Sequence, residues 1–220
     1  MRVLIVGGSP EPVSIDLVGS LAAGCDAVVA VDRGLDLLLG AGRPPDLFCG
    51  DADSVSTAGA ALVRAAEAGT SAGEGADFEV ERYNPAKDYT DLSLALRAVR
   101  ERWPGSDLVC TGLAGGRPDH FLGCLGCLVS WRGAVELFEN AYEGRILHDG
   151  ADWTISGRTG RRFSFVPLSE TATVSIRGMQ WELDHRDGSL LSDLGISNVV
   201  TADPAWIACH AGTIGAWVFR

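Results

Sequence analysis

The sequence predicts an α/β fold, in which an N-terminal parallel-sheet, Rossmann-like α/β domain is followed by a smaller C-terminal antiparallel β-sandwich domain. Up to about residue 140, short apolar runs alternate with helix-length amphipathic segments, which is typical of parallel strands joined by crossover helices. Beyond that point the segments shorten, glycines recur every few residues, and apolar and polar residues alternate. This second pattern indicates antiparallel strands. We place the domain boundary between residues 143 and 144.

The elements of both domains follow from the hydrophobic periodicity. Apolar runs bounded by Gly, Pro or Asp predict strands over residues 2–6, 27–31, 47–50, 78–82, 107–111 and 135–138. Helical periodicity predicts helices over residues 12–21, 35–39, 58–68, 92–103 and 122–131. In the second domain, alternation predicts strands over residues 161–166, 171–177, 198–201, 206–210 and 214–219. A barrel-like arrangement of these strands is an alternative to the sandwich.

Composition and charge exclude several classes of protein. Hydrophobic residues make up 46% of the 220 residues, which is enough for a packed core and too many for a disordered chain. The net charge of −11 argues against nucleic acid or an anionic membrane as the main partner. No apolar run reaches the roughly 18 residues of a membrane span. The six cysteines do not have the spacing of a disulfide framework, and no signal peptide is evident. Both features predict a protein of the reducing cytoplasm. The C-x-x-C pair of Cys124 and Cys127 lies in an apolar helical stretch, which favours core packing over redox or zinc chemistry.

An acidic loop at residues 50–54, Gly-Asp-Ala-Asp-Ser, follows the third predicted strand. Its carboxylates, Asp51 and Asp53, lie close in sequence, and like charges raise one another's pKa. A bound Mg²⁺ removes this penalty, because it prefers carboxylate oxygens and bridges them to phosphates. Gly50 permits a sharp turn, and Ser54 is the expected N-cap of the next helix. For this motif alone, a solvated polar loop is the simpler interpretation.

Two further polar clusters favour the metal site. Residues 87–91 are Lys-Asp-Tyr-Thr-Asp, and residues 115–120 are Gly-Gly-Arg-Pro-Asp-His. Lys87 and Arg117 suit phosphate oxygens, as do the backbone N–H groups of a Gly-Gly turn. Ligands bind beyond the carboxyl ends of the strands in parallel sheets, so three such clusters at that edge predict a phosphoryl-transfer site. His120 is either a base or, more simply, a structural hydrogen-bonding residue.

Read together, these motifs resemble the thiamine pyrophosphokinase family over nearly the whole chain and in the same order. The matching segments are Asp-Arg-Gly-Leu at 32–35 with Pro-Asp-Leu at 45–47, the clusters at 50–54, 87–91 and 115–120, Ile-Arg-Gly-Met-Gln-Trp-Glu-Leu at 176–183 and Gly-Ile-Ser-Asn at 195–198. The resemblance implies ATP and thiamine as substrates, Mg²⁺ as cofactor, and thiamine diphosphate and AMP as products. It also implies a homodimer with active sites formed between its subunits. The cysteines and the net charge predict a cytoplasmic protein without nucleic-acid or membrane partners.

The resemblance and the acidic loops together give a set of expected site residues. The expected catalytic residues are Asp51, Asp53, Asp91, Arg117 and Asp119, of which Asp51, Asp53 and Asp91 are the expected metal ligands and Asp119 a candidate base. The residues expected to bind nucleotide are Asp32, Gly34, Lys87, Asp88, Thr90, Gly115, Gly116 and His120. The residues expected to bind thiamine are Trp181, Ser197 and Asn198. For Trp181, a place in the core of the β domain is an equal alternative.

Three positions depart from the family pattern. Arg33 replaces a glycine, Ser93 replaces an acidic residue, and Cys124 replaces an asparagine. These differences leave other functions open. One is a pyrophosphokinase acting on another alcohol such as a pterin, and another is a non-catalytic nucleotide- or thiamine-binding homologue. A third is a Mg²⁺-dependent phosphohydrolase, which would release phosphate rather than AMP.

Overall fold

The computed structural model describes residues 1–11, 13–70, 77–84 and 88–220. Lys87 lies outside these residues, so its assignment to phosphate binding stays a prediction. The chain divides into two compact units, Met1–Gly133 and Ala134–Arg220. The functional boundary after residue 143 is likewise still a prediction, and each unit is described separately below.

The first unit contains a parallel sheet. Its described strands are β1 (Arg2–Val6), β2 (Ala27–Val31), β3 (Leu47–Gly50), β4 (Glu79–Arg82) and β5 (Asp107–Thr111). They lie in the order β5-β1-β2-β3-β4, and every neighbouring pair is parallel. Residues in β1, β2, β3 and β5 are almost all buried, as expected for strands covered on both faces. The predicted α/β sheet is therefore confirmed.

Three of the five described helices of the first unit begin at residues whose side chains cap a free N–H group. The five helices are α1 (Ile15–Ala23), α2 (Gly34–Gly40), α3 (Thr57–Glu67), α4 (Asp91–Arg102) and α5 (Pro118–Val129). Side-chain oxygens of Ser14, Ser56 and Thr90 accept the capping hydrogen bonds of α1, α3 and α4. The expectation that Ser54 caps α3 is wrong, because the acidic loop continues two residues further.

α5 begins earlier than its apolar periodicity indicated. We expected it to begin at residue 122, but it begins at Pro118. Proline is favoured in the first helical turn because its fixed φ suits the helix and its missing N–H needs no partner there. Asp119 and His120 therefore belong to the first turn of this helix rather than to the preceding loop.

The second unit contains two antiparallel sheets. Its strands are β6 (Val135–Glu139), β7 (Tyr142–His148), β8 (Asp152–Ile155), β9 (Arg162–Pro167), β10 (Thr171–Arg177), β11 (Leu183–Ser189), β12 (Gly195–Val199), β13 (Ala205–Ala211) and β14 (Thr213–Phe219). One sheet runs β12-β9-β14-β7-β6 and the other runs β11-β10-β13-β8. All pairings are antiparallel.

A single core lies between the two sheets of this unit. Phe163 and Phe165 of β9 and Ile207 of β13 are fully buried there, and Trp153 of β8 is almost fully buried. Both sheets contribute alternate residues to this core, which is the arrangement of a β-sandwich. The sandwich is thus confirmed over the barrel alternative.

None of the described helices combines the length and the apolar character needed to cross a bilayer.

Candidate active site

A cleft of about 380 Å³ opens at the carboxyl edge of the parallel sheet. It is formed by the loops that follow β1, β2, β3 and β5 and by the N-terminal parts of α4 and α5. Six of the expected site residues line it: Asp32, Thr90, Asp91, Gly115, Arg117 and His120. Six others do not: Gly34, Asp51, Asp53, Asp88, Gly116 and Asp119. The sheet topology therefore brings together three of the expected clusters, but not every side chain in them.

Asp32 connects the cleft to the start of the acidic loop. Its backbone N–H donates to the Cys49 carbonyl at 3.0 Å, and its φ of 47° lies in the left-handed region. A Cβ added at Gly50 would lie 1.9 Å from the Oδ1 atom of Asp32. Only glycine therefore fits at position 50 while this carboxylate keeps its place. Such left-handed residues other than glycine are costly and are concentrated at functional sites.

The acidic loop is shaped by short-range hydrogen bonds. The Asp53 N–H donates to Asp51 Oδ1 at 3.1 Å, and Ala52 between them has a φ of 61°. At the end of the loop, the Ser56 N–H donates to Asp36 Oδ2 at 2.9 Å and the Ser56 hydroxyl donates to Asp36 Oδ1. Asp36 therefore fixes the far end of the loop. Sequence reasoning missed this residue because it lies on α2, outside any motif.

Asp91 enters the cleft at the beginning of α4. Thr90 caps this helix by accepting a hydrogen bond from the Ser93 N–H at 3.2 Å. The first turn of a helix favours a negative charge, because the unpaired N–H groups there carry partial positive charge. Ser93, one of the departures from the family pattern, takes part in the cap through its backbone, which any residue can do.

The glycine-rich loop after β5 packs against the loop after β1. The Ser9 N–H donates to the Gly112 carbonyl at 3.0 Å, and the Ser9 hydroxyl donates to the Ala114 carbonyl. The Gly116 N–H donates to Glu11 Oε1 at 3.2 Å. Glu11 is therefore a residue of this site that sequence reasoning missed, because no motif includes it.

Arg117 and Asp119 form an ion pair on the first turn of α5. Arg117 Nε lies 3.1 Å from Asp119 Oδ1, and the second guanidinium nitrogen contacts Oδ2. The hydrogen bond from Arg117 lowers the pKa of Asp119 to about 2. A carboxylate with so low a pKa is a poor proton acceptor at neutral pH, which weakens Asp119 as a candidate base.

Gly34 has a packing role in the structure. A Cβ at this position would lie 1.9 Å from the Val6 carbonyl oxygen, so α2 can approach β1 closely only with glycine there. Cys124 and Cys127 are half-buried on α5 and form no disulfide, and Cys124 lines the cleft. The pair is therefore less buried than the predicted core packing implies.

The carboxylates of the cleft fit a magnesium ion that is shared with phosphate. Within the described parts of the chain, no three His, Cys, Asp or Glu side chains are grouped as a ready-made metal site. Mg²⁺ in nucleotide sites is usually held by one or two carboxylates, with phosphate oxygens and water completing its shell. Asp32 and Asp91 line the same cleft, and Gly50, the first residue of the acidic loop, lies next to the Asp32 side chain. The two carboxylates of the cleft therefore match that requirement.

A second cleft, of about 320 Å³, lies in the β-sandwich unit. All three residues expected to bind thiamine, Trp181, Ser197 and Asn198, line it. Apolar side chains form the rest of the wall: Ile176, Leu183, Leu194 and Ile196. Trp181 is 57% exposed, so the alternative that it belongs to the β core is wrong.

Asn198 holds the backbone of Trp181 in place. Its Nδ2 donates to the Trp181 carbonyl at 2.7 Å, and its Oδ1 accepts from the Trp181 N–H at 3.1 Å and from the Val199 N–H at 2.8 Å. The residue is only 5% exposed. Asn198 is therefore placed to position the aromatic ring rather than to contact a ligand through its amide group.

Comparison with known proteins identifies two matching family models. The model described as "Thiamin pyrophosphokinase, catalytic domain" matches residues 18–138, more than half of the chain. The model described as "Thiamin pyrophosphokinase, vitamin B1 binding domain" matches residues 153–214. The first match includes the expected clusters of the sheet edge, and the second includes all three residues expected to bind thiamine.

Individual relatives agree with these matches. The chain is 30% identical over 200 residues to the thiamine pyrophosphokinase of Bacillus subtilis, covering 88% of this chain and 87% of the relative. The crystal structure of thiamine pyrophosphokinase from Bacillus subtilis superposes with a TM-score of 0.79 at 26% identity, covering 100% and 99% of the two chains. Thiamin pyrophosphokinase from Candida albicans has a TM-score of 0.80 at 15% identity, covering 100% and 90%, and supports the fold alone.

Proposed function

The chain belongs to the thiamin pyrophosphokinase family of enzymes, and on that premise we propose that it transfers the pyrophosphoryl group of ATP to the hydroxyethyl group of thiamine. The products are thiamine diphosphate and AMP. One observation carries the proposal: each of the two units has its own cleft, with carboxylates, an arginine and a glycine turn in one and an exposed tryptophan in the other.

The cleft of the first unit is proposed to bind the ATP phosphates. Arg117 supplies a guanidinium that can form paired hydrogen bonds with phosphate oxygens, and the Gly115–Gly116 turn supplies backbone N–H groups. Lys87 is proposed to add a second positive charge. Binding through Arg117 requires its ion pair with Asp119 to open or to be shared, and both side chains are exposed enough for this to happen.

Asp51, Asp53 and Asp91, with Asp32 beside them, are the residues proposed to hold Mg²⁺. When bound, the ion supplies charge neutralisation between the carboxylates and the phosphate oxygens. Two of these side chains, Asp32 and Asp91, already line the cleft. Asp51 and Asp53 lie on the adjoining loop, which reaches the cleft through Ser54.

The transfer step forms one bond and breaks one. The hydroxyl oxygen of thiamine bonds to the β-phosphorus, and the bond from that phosphorus to the oxygen shared with the α-phosphate breaks, so AMP leaves with that oxygen. The hydroxyl proton is released to solvent. The transition state of phosphoryl transfer is loose, so orienting the hydroxyl matters more than a strong base. The low pKa of Asp119 is compatible with such a mechanism.

The cleft of the second unit is proposed to bind thiamine, which is flat, aromatic and cationic. The exposed face of Trp181 offers stacking and cation–π attraction. Ser197 presents a hydroxyl at a residue whose φ of 64° fixes an unusual backbone conformation. The apolar wall excludes water from the rings, and Asn198 keeps Trp181 in position.

An assay of AMP release tests the proposal. The purified chain is supplied with ATP, Mg²⁺ and thiamine, and the products are separated by chromatography. We expect AMP and thiamine diphosphate in equal amounts, and neither when thiamine is omitted. Release of phosphate would indicate a phosphohydrolase, turnover of a pterin alcohol in place of thiamine would indicate a different pyrophosphokinase, and ATP binding without turnover would indicate a non-catalytic homologue.

The assembly forms a separate part of the proposal. Following the resemblance, we propose a cytoplasmic homodimer in which residues of both subunits complete each active site. Sedimentation equilibrium measures the mass of the assembly, and we expect twice the 23.1 kDa of one chain. A monomer mass in an active preparation would contradict it.

A further inference from the structure

We propose that Glu11 sets the affinity of the site for nucleotide, because its carboxylate occupies the anion position of the Gly115–Gly116 turn until the phosphates of ATP displace it. The inference rests on the proposed function, since it takes that turn to be a phosphate site. It concerns a residue that lies outside every motif of the sequence.

The turn donates a backbone N–H to an anionic group. Gly115 and Gly116 have φ values of 103° and 67°, a backbone conformation that favours glycine. The Gly116 N–H already donates to an anionic oxygen, Glu11 Oε1, at 3.2 Å. An internal carboxylate therefore demonstrates the kind of ligand that this turn accepts.

Glu11 covers the face of the turn closely. A Cβ added at Gly115 would lie 2.8 Å from Glu11 Cβ and 2.9 Å from Glu11 Cδ. The Glu11 N–H donates to Ser9 Oγ at 3.1 Å, and the same hydroxyl donates to the Ala114 carbonyl. The backbone of Glu11 is thus tied to the loop that carries the turn. A phosphate oxygen and the Glu11 carboxylate cannot both occupy this face.

The carboxylate can be displaced at small cost. Glu11 is an exposed residue, and interactions of exposed charges are weak because water and salt screen them. ATP carries several negative charges, and Arg117 lines the same cleft. The nucleotide therefore outcompetes the side chain, although the displaced carboxylate still repels the phosphates nearby. Removal of the Glu11 charge therefore lowers both the cost of displacing this side chain and its repulsion of the phosphates.

Two variants separate the charge from the side chain. Glu11→Gln keeps the shape and an oxygen acceptor but removes the charge, whereas Glu11→Ala removes the side chain. Asp16→Asn is the matched control, because it removes one negative charge from the exposed first turn of α1. Thermal unfolding checks that all three variants fold as the wild-type chain does.

Isothermal titration of ATP with Mg²⁺, without thiamine, measures the affinity directly, and steady-state kinetics give the KM values. We expect Glu11→Gln and Glu11→Ala to bind ATP about two- to fivefold more tightly than wild type, the upper part of the range for one exposed charged contact. The KM for thiamine should stay unchanged, and Asp16→Asn should differ from wild type by less than about twofold.

Other outcomes overturn the inference in distinguishable ways. Weaker ATP binding in Glu11→Gln would show that the carboxylate supports the turn instead of competing for it. Unchanged affinity in an otherwise active enzyme would show that Glu11 does not occupy the phosphate position, and the proposed function would stand. A wild-type chain that neither binds ATP nor releases AMP would overturn the proposed function and this inference together.

Discussion

The two clefts are built in different ways. The cleft of the α/β unit collects side chains from loops that are far apart in sequence, between Gly7 and Cys124. The cleft of the β-sandwich unit is formed by two short segments, 176–183 and 194–198. All three residues expected in the second cleft lie there, whereas only half of the described residues expected in the first cleft line it. A site formed by many loops depends on how each loop turns, and a site on adjacent strands depends mainly on register.

Removal of a core ring should have the largest effect, and it tests whether the sandwich cleft depends on the core behind it. We expect Phe165→Ala to lower the free energy of unfolding by about 3–5 kcal/mol, the usual cost of a large buried aromatic truncation. Chemical denaturation measures this loss. Phe165 also packs against Gly195, where an added Cβ would lie 2.1 Å from its ring, so the thiamine KM should rise as well. Phe163→Leu, a smaller change on the same strand, is the comparison. A loss of less than about 1 kcal/mol in the free energy of unfolding of Phe165→Ala would contradict the assignment of Phe165 to the core.

The second largest effect should come from the carboxylates of the first cleft. We expect Asp91→Asn to reduce kcat/KM at least about 100-fold while the fold persists, because loss of a charge that organises a phosphoryl-transfer site typically costs that much. Asp51→Asn and Asp53→Asn, measured beside it, show whether the acidic loop contributes equally. Asp77→Asn, on an exposed residue, is the control. Near wild-type turnover in Asp91→Asn would remove Asp91 from its proposed role.

The tryptophan of the second cleft should have an intermediate effect. We expect Trp181→Ala to raise the KM for thiamine about tenfold through loss of stacking and cation–π attraction. The KM for ATP should change little, and stability should fall by less than about 1 kcal/mol because the side chain is exposed. Trp181→Phe should recover part of the loss. Leu190→Ala, an exposed apolar residue outside the cleft, is the control, and an unchanged thiamine KM in Trp181→Ala would argue against this site.

The smallest effect concerns the ion pair on α5. We expect Arg117→Gln to return the pKa of Asp119 from about 2 toward its ordinary 3.8, as measured by NMR titration of the carboxyl carbon. Because the folded pKa is lowered, the ion pair stabilises the fold above pH 3.8 and this contribution is lost as the pH falls toward 2. Both side chains are exposed, so the change in stability should be slight. Arg132→Gln is the control. If the pKa of Asp119 stays low in Arg117→Gln, the ion pair is not its cause.

Much of the fold followed from pattern alone. The strands Ala27–Val31, Leu47–Gly50 and Asp107–Thr111 have the predicted bounds, because buried parallel strands are short continuous apolar runs that end at polar residues. Helix starts were harder to predict. Ser54 and Ser56 are both suitable caps, and only the turn around Ala52 decides between them.

Two of the strands that were not predicted, β11 and β7, lack a continuous hydrophobic pattern of their own. β11 (Leu183–Ser189) is mostly polar and exposed, and its pairing with β10 places it in the sheet. β7 (Tyr142–His148) is interrupted by Gly144, where an added Cβ would lie 2.5 Å from the Trp217 ring. Backbone pairing and close packing between distant residues define such strands, and neither can be derived from a local window of sequence.

The sequence by itself determined the order of strands and helices along the chain and the polar clusters at the strand ends, because these depend on local periodicity and spacing, and the resemblance to the family pointed to Trp181 and Asn198. Only the tertiary structure decided which carboxylates line the first cleft, that Glu11 lies on the glycine turn, and that Asn198 holds Trp181. These features are contacts between residues distant in the chain, and their positions depend on how the loops pack once the sheets have formed.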